Sequence, residues 1–174
     1  MAYIQTGQHA PGIIELLQYK PSSGQALSAL AQTLLLGSSG LSSGERELIA
    51  AYVSRLNECT FCCQSHAAAA RVHLHENTDL VDEVLLHAET RGLSKKMQCL
   101  LQLAAKIQKG GKSVQASDIE HARQAGASDE DIHDTVLIAA AFCMFNRYVD
   151  GLGTSPAPAE AYPAMGQKMS EGYV

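Results

Sequence analysis

Residues 47–66 read ELIAAYVSRLNECTFCCQSH, from Glu47 to His66. The first part repeats its apolar residues with the period of a helix, so that Leu48, Ile49, Tyr52, Val53 and Leu56 share one buried face. Asn57-Glu58 interrupts the pattern, and a second helix restarts near Cys59 and runs to about His75. Two helices joined by so short a break form an antiparallel hairpin. With residues from Thr60 onward helical, the spacings i, i+3 and i+7 place Cys59, Cys62 and His66 on one stripe.

Two thiols one turn apart can close a disulfide across that turn, and an imidazole one turn further on can move their protons. A free cysteine titrates near ~8.5 and reacts as the thiolate. The unpaired N–H groups and the dipole of a helix start favour that thiolate, and Cys59 is expected at such a start. Cys62 faces the same way, with His66 within reach of its sulfur directly or through a water. Histidine is the side chain best able to accept and return a proton near neutral pH. Glu47 lies on the preceding helix, and the hairpin brings it beside the C-x-x-C turn. A carboxylate there repels a thiolate, so its expected role is proton acceptor or orienter of His66. Glu45 is the competing acid, but Ser42-x-x-Glu45 reads as a capping box and gives it a local task.

The same residues offer a second reading. Cys59, Cys62, His66 and Glu47 have the donor types for one zinc ion. Structural zinc sites usually take ligands from two separated pairs, and no second C-x-x-C or H-x-x-x-H is present. Thiol redox chemistry without a metal or organic cofactor is therefore preferred. A metal- or redox-sensing binding protein using the same cluster is the alternative, and a helical oligomer with incidental thiols is a third. Cys63 points about 100° away from Cys62 and reads as a bystander. Cys99 and Cys143 lie in apolar helical runs and read as small buried hydrophobes. His73 and His75 read as solvated residues at a helix end, and His87, His121 and His133 as surface residues.

Outward from the hairpin, nearly every segment has a helical period and none reads as a strand. Helices are expected at 11–20, starting at Pro11, and at 24–36, after a break at Pro21 and the Ser-Ser-Gly that follows. Further helices are expected at 78–91, 94–109, 115–126 and 129–150. Ser117-x-x-Glu120 is a second candidate capping box, and Ser128 a cap for the last long helix. Residues after Gly153 are rich in Pro, Ala and Gly and are expected to run over the surface or pack on a neighbouring subunit. The pairs 43–75 and 94–126 echo each other faintly, at an identity too low to count as a repeat. The expected class is all-α, one domain over 1–174. Its core is about 40–155, with the helices at 11–37 and the tail at 154–174 as extensions.

The chain has 174 residues, 46% hydrophobic and 18% charged, enough for one well-filled core. Net charge is −5 and no basic stripe is present, which argues against nucleic acid and anionic membrane as partners. No apolar run approaches the ~20 residues of a membrane span, and no basic, then apolar, leader is apparent. Five cysteines, an odd number, do not suggest a structural disulfide framework. The expected location is cytoplasmic.

The pattern E-x11-C-x2-C-x3-H, preceded by an ERELI-type helix and the phrase VSRLN, resembles the alkylhydroperoxidase AhpD-like group of the carboxymuconolactone decarboxylase superfamily. The stretch FNRYVDGLGT, from Phe145 to Thr154, is similar to one in its peroxidase-related members. The resemblance covers about residues 40–155, and the paired cysteines mark the redox branch rather than the decarboxylases. It implies an all-α, AhpD-like helical bundle assembling as a homo-trimer or homo-hexamer. It implies a peroxidase that reduces hydroperoxides through a C-x-x-C dithiol/disulfide cycle, drawing electrons from a thiol reductant such as a lipoyl or thioredoxin-type protein. Glu47, Cys59, Cys62 and His66 are then the proton-relay and redox residues. Well-studied members also carry a His before the second cysteine, where Phe61 stands here, so a more apolar pocket is expected. The dipole argument favours Cys59 as the attacking thiol. The resemblance favours Cys62, with a more exposed Cys59 resolving the product, and this second assignment is adopted. Asn146, Arg147 and Asp150 read as a helix-end turn tied by local hydrogen bonds, with a polar rim near the site as the other reading.

Overall fold

Ser42 opens the central helix. In the computed structural model, which describes residues 2–7, 9–75, 78–87 and 90–173, Ser42 Oγ accepts the Glu45 N–H at 3.2 Å and the Glu45 carboxylate accepts the Ser42 N–H at 2.9 Å. The helix thus capped is Ser43–Leu56, called α3 because two helices precede it. Leu48, Ile49 and Val53 are buried as expected, while Tyr52 and Leu56 stay half-buried. Ala50, Ala51 and Ser54 are also buried, because other helices surround α3 instead of covering one face.

The break falls at Asn57 and Glu58. Glu58 adopts a φ of 61°, a left-handed conformation that disfavours a side chain. The Cys59 N–H bonding back to Ser54 O at 3.0 Å offsets part of that cost. Cys59 is then the N-cap of α4 (Thr60–Leu74), which returns along α3. The four consecutive alanines Ala67–Ala70 are all buried, so α4 is enclosed by its neighbours. With no side chain beyond Cβ, they let α3 and the C-terminal helix approach closely.

The amino-terminal helices are α1 (Ile13–Tyr19) and α2 (Pro21–Leu36). Pro11 lies outside α1, because Gly12 takes a φ of 56° with its Cα against the Phe61 ring and the helix starts only after it. Pro21 does not break the chain but begins α2: the first helical turn has no use for the N–H that proline lacks. Gly24, read as part of the break, sits instead in the first turns of α2, where a Cβ would fall 2.2 Å from Leu17 O.

The rest of the body is α5 (Asp79–His87), α6 (Lys95–Lys109), α7 (Ala116–Gln124) and α8 (Asp129–Gly151). The expected end of the fifth helix falls partly on residues 88–89, outside the described residues, as does the side chain of His87. Ser128 caps α8 as expected, with Asp131 closing a capping box. The box expected at Ser117 and Glu120 is not used. Asp118 instead accepts the Gln115 N–H at 2.8 Å and the Lys106 ammonium at 2.6 Å, and the added bond to α6 fixes the helix start two residues earlier.

The tail departs most from expectation. Residues Tyr162–Glu171 form α9, with Pro163 in its first turn, and this helix packs along α4 of the same chain. At Gly166 the two backbones meet so closely that a Cβ would lie 2.5 Å from the Ala68 carbonyl carbon. Among the described residues there are nine α-helices, no strand, and no helix long and apolar enough to cross a membrane.

Candidate functional site

The α3–α4 hairpin brings Glu47 to His66. Glu47 is fully buried, and its Oε2 lies 2.7 Å from His66 Nδ1. The other oxygen, Oε1, accepts the Tyr173 hydroxyl at 2.5 Å. A carboxylate bonded on this side favours the tautomer with the proton on Nδ1, which leaves Nε2 able to accept one. The Tyr173 ring stacks on the imidazole at 6.1 Å with planes 11° apart, and the Phe142 ring meets it nearly perpendicularly at 4.6 Å. The imidazole is therefore held between two aromatic rings and by a carboxylate at one edge.

Tyr173 was not visible as a site residue in the sequence. The chain returns to the site after α9, and the Tyr173 N–H bonds to Gln32 Oε1 at 2.8 Å, tying the tail to α2. Burial first, then the charge of Glu47 and the hydrogen bond to it, push the phenol well above its ordinary value. The folded state thus holds this proton more tightly than the unfolded chain does. The linked stability is present below the unfolded value of about 10 and is lost as pH rises through the higher folded value. Tyr173→Phe is expected to cost about 1.5–3 kcal/mol at pH 8, the scale of a hydrogen bond to a charged group. Urea midpoints should show that gap closing above about pH 10; a gap that stays constant through pH 11 contradicts the assignment.

Cys62 lies one turn before His66, and Cys59 two. The thiol of Cys62 is hydrogen-bonded to that of Cys59, and this contact, then burial, raises Cys62 far above the ordinary thiol range. A hydrogen bond with Asn146 acts in the opposite sense, and the charge of Asp150 adds to the rise. The thiolate stabilisation expected from the helix start does not prevail at Cys62. Cys62 rests as a thiol and needs a base to react. No direct hydrogen bond joins Cys62 to His66 among the described residues, but both face one cavity.

That cavity is about 340 Å³ and largely apolar. Phe61, Phe142 and Phe145 form part of its wall, in line with the apolar pocket expected from Phe61. Much of the remaining wall comes from the segments toward both ends of the chain, including Ile13 and Leu17 of α1, Leu27 of α2, and Met165 and Met169 of α9. Sequence reading treated these segments as extensions, yet they enclose the space over Cys62.

Cys59 corrects an expectation. It is fully buried, less exposed than Cys62 at 3%, because the tail returns over it: Ala157 and Tyr162 pack in the same cluster. Asn146 corrects another. It is buried, receives the Asn57 amide at 2.8 Å and donates to Ser54 Oγ at 3.0 Å, so its bonds are long-range. The polar-rim reading suits Asn146, and the local reading suits Arg147, which donates to Cys143 O at 2.9 Å. Cys63 is half-buried and does not line the cavity; burial pushes its thiol up to about 11, against the opposing charge of Arg55. Cys143 is buried and Cys99 half-buried. His75, His121 and His133 are exposed. His73 is half-buried instead of solvated. Among the described residues no three His, Cys, Asp or Glu side chains stand where one metal ion could be held. His66 and Glu47 engage each other, so the zinc reading of this cluster has no geometric support.

The carboxymuconolactone decarboxylase family model matches the sequence twice, over residues 21–92 and 86–153. No curated protein matches it. Among solved structures, the chain is similar to an uncharacterized peroxidase-related protein from Silicibacter sp. TM1040. The identity is 30%, the TM-score 0.79, and the match covers 87% of this chain and 78% of that one. It is likewise similar to a peroxidase-related protein from Ralstonia eutropha JMP134, described as an alkylhydroperoxidase AhpD core. There the identity is 28%, the TM-score 0.80, and the coverage 91% and 82%. A protein of unknown function from Agrobacterium tumefaciens shares the fold at 21% identity and a TM-score of 0.68, over 84% of this chain and 99% of that one.

Proposed function

Because the chain belongs to the carboxymuconolactone decarboxylase family, we propose that it works in the peroxidase-related, AhpD-like manner, as a thiol-dependent reductase of hydroperoxides. The observation that carries this reading is a buried relay ending beside a buried thiol pair: Tyr173, Glu47 and His66 in hydrogen-bond contact, with Cys62 one turn from His66 and Cys59 two.

His66, oriented by Glu47, takes the proton of Cys62. The sulfur attacks the terminal oxygen of the hydroperoxide; an S–O bond forms as the O–O bond breaks. The alkoxide takes the proton from His66 and leaves as an alcohol. Cys59 then attacks the sulfenic sulfur; the S–S bond forms as the S–O bond breaks, and the oxygen departs as water. An external dithiol, in two exchange steps, restores both thiols and leaves as its own disulfide. Cys62 is assigned the first step because it lines the cavity and Cys59 does not. The volume favours an organic substrate. One water occupies about 30 Å³ of liquid, so hydrogen peroxide would fill little of a 340 Å³ cavity with phenylalanine walls.

The test is consumption of an organic hydroperoxide by the purified protein with a panel of dithiol and monothiol reductants. Catalytic turnover with at least one dithiol is expected. Absence of any hydroperoxide consumption, with about one zinc per chain bound by the cysteines, would support the sensing alternative instead.

A further inference from the structure

We propose that Ser65 is a catalytic residue of this site, its hydroxyl hydrogen-bonding the oxygen that departs as alkoxide when the peroxide bond breaks. The proposal rests on the peroxidase reading and adds to it a group that the family pattern does not name. Ser65 is 2% exposed and lines the cavity. Its Oγ has no hydrogen-bond partner among the described residues. A serine inside a helix ordinarily returns its hydroxyl to the carbonyl four residues back. Ser54, equally buried in α3, does so, donating to Ala50 O at 2.8 Å. Ser65 has the Phe61 carbonyl at the same spacing and does not use it. An unpaired buried hydroxyl lowers stability, so a hydroxyl kept this way is one that a ligand in the cavity can satisfy.

Position fits the task. Ser65 is three residues after Cys62, so the two share a face with Cβ atoms about 5–6 Å apart, a gap that a peroxy group bridges. His66 is the next residue. Two other hydroxyls line the cavity: that of Tyr173 is committed to Glu47, and that of Ser28 is half-buried on α2, away from the helix that carries Cys62. Ser65 is therefore the neutral donor beside the nucleophile that is free to meet developing charge.

The electrons balance without any further reactant in this step. Cys62 sulfur gives a pair to the terminal oxygen and is oxidised by two electrons. The O–O pair stays on the departing oxygen, which Ser65 O–H stabilises until the proton held by His66 arrives. Ser65 itself is unchanged.

The test is single-turnover oxidation of the reduced protein, without reductant, followed in the stopped flow for wild type, Ser65→Ala and Ser65→Thr. Two oxidants are compared. tert-Butyl hydroperoxide expels a strongly basic alkoxide that needs a donor, and peracetic acid expels acetate, which hardly does. Ser65→Ala is expected to slow the first on the order of 10²-fold, the scale for loss of one oxyanion donor. It should slow the second less than about tenfold, and Ser65→Thr, which keeps the hydroxyl, should restore most of the rate. Equal slowing for both oxidants, or no slowing for either, overturns the proposal while leaving the peroxidase reading in place. If Ser65→Ala does not fold, Ser65→Cys, a near-isostere with a weak donor, must show the same leaving-group dependence or the proposal falls. A wild-type protein inert to both oxidants sinks the peroxidase reading itself.

Discussion

Cys62→Ser is expected to bring hydroperoxide consumption down to the uncatalysed rate, a loss on the order of 10⁴-fold or more, the scale seen when a covalent nucleophile is removed. Serine keeps the shape of the site, so the fold should survive: Cys62 is 3% exposed and its sulfur makes hydrogen bonds that a hydroxyl can also make. Cys59→Ser should behave differently. Its first oxidation should proceed at nearly the wild-type rate and stop at a sulfenic acid on Cys62, which a sulfenic-acid probe will label. A label on a protein retaining only Cys59 of the pair, and none on one retaining only Cys62, reverses the assignment. Burial decides the expectation. Neither thiol is open to bulk solvent, but only Cys62 faces the cavity where a substrate can reside.

Glu47→Gln is the second large effect. The carboxylate accepts a hydrogen bond from the Nδ1–H of His66 at 2.7 Å. A glutamine amide can turn its NH₂ toward the ring and stabilise the opposite tautomer, with the proton on Nε2. That imidazole cannot accept a proton from Cys62. A wrong tautomer costs about 10⁴-fold in a serine-protease triad, and a loss on the order of 10³–10⁴-fold is expected here. The pH profile separates this cause from a general loosening. Burial and the Cys59 contact keep Cys62 protonated, so the variant should recover rate steadily as hydroxide replaces the missing base. A variant whose rate is low and flat between pH 7 and 10 contradicts the relay.

Much of the candidate site was legible because it is local. Ser42 and Glu45 form the box that their spacing announces. Asn57-Glu58 turns the chain, and Cys59, Cys62 and His66 fall on consecutive turns of α4. Glu47 was placed correctly because only a hairpin of two helices separates it from His66. What escaped were the partners brought from far along the chain. Asn146 was read as a local turn because its bonds to Asn57 and Ser54 cross about ninety residues. Tyr173 carries no motif and reaches Glu47 only because α9 lays the tail along α4. That helix did have a signal: Pro163 at a permitted first-turn position, followed by the helix formers Ala164, Met165, Gln167, Lys168, Met169 and Glu171. The surrounding Pro, Ala and Gly residues obscured it. The same omission made Cys59 look exposed, since Ala157 and Tyr162 cover it. It also made the segments before residue 40 and after 154 look peripheral, although they enclose the cavity.

Disulfide mapping after exposure to one equivalent of an organic hydroperoxide tests the central claim most directly. The reduced protein has five thiols. The account predicts loss of two of them per peroxide consumed and a peptide cross-linked through Cys59 and Cys62, with Cys63, Cys99 and Cys143 still free. Peroxide consumed with that pair left reduced, or a cross-link that joins other cysteines, would contradict it.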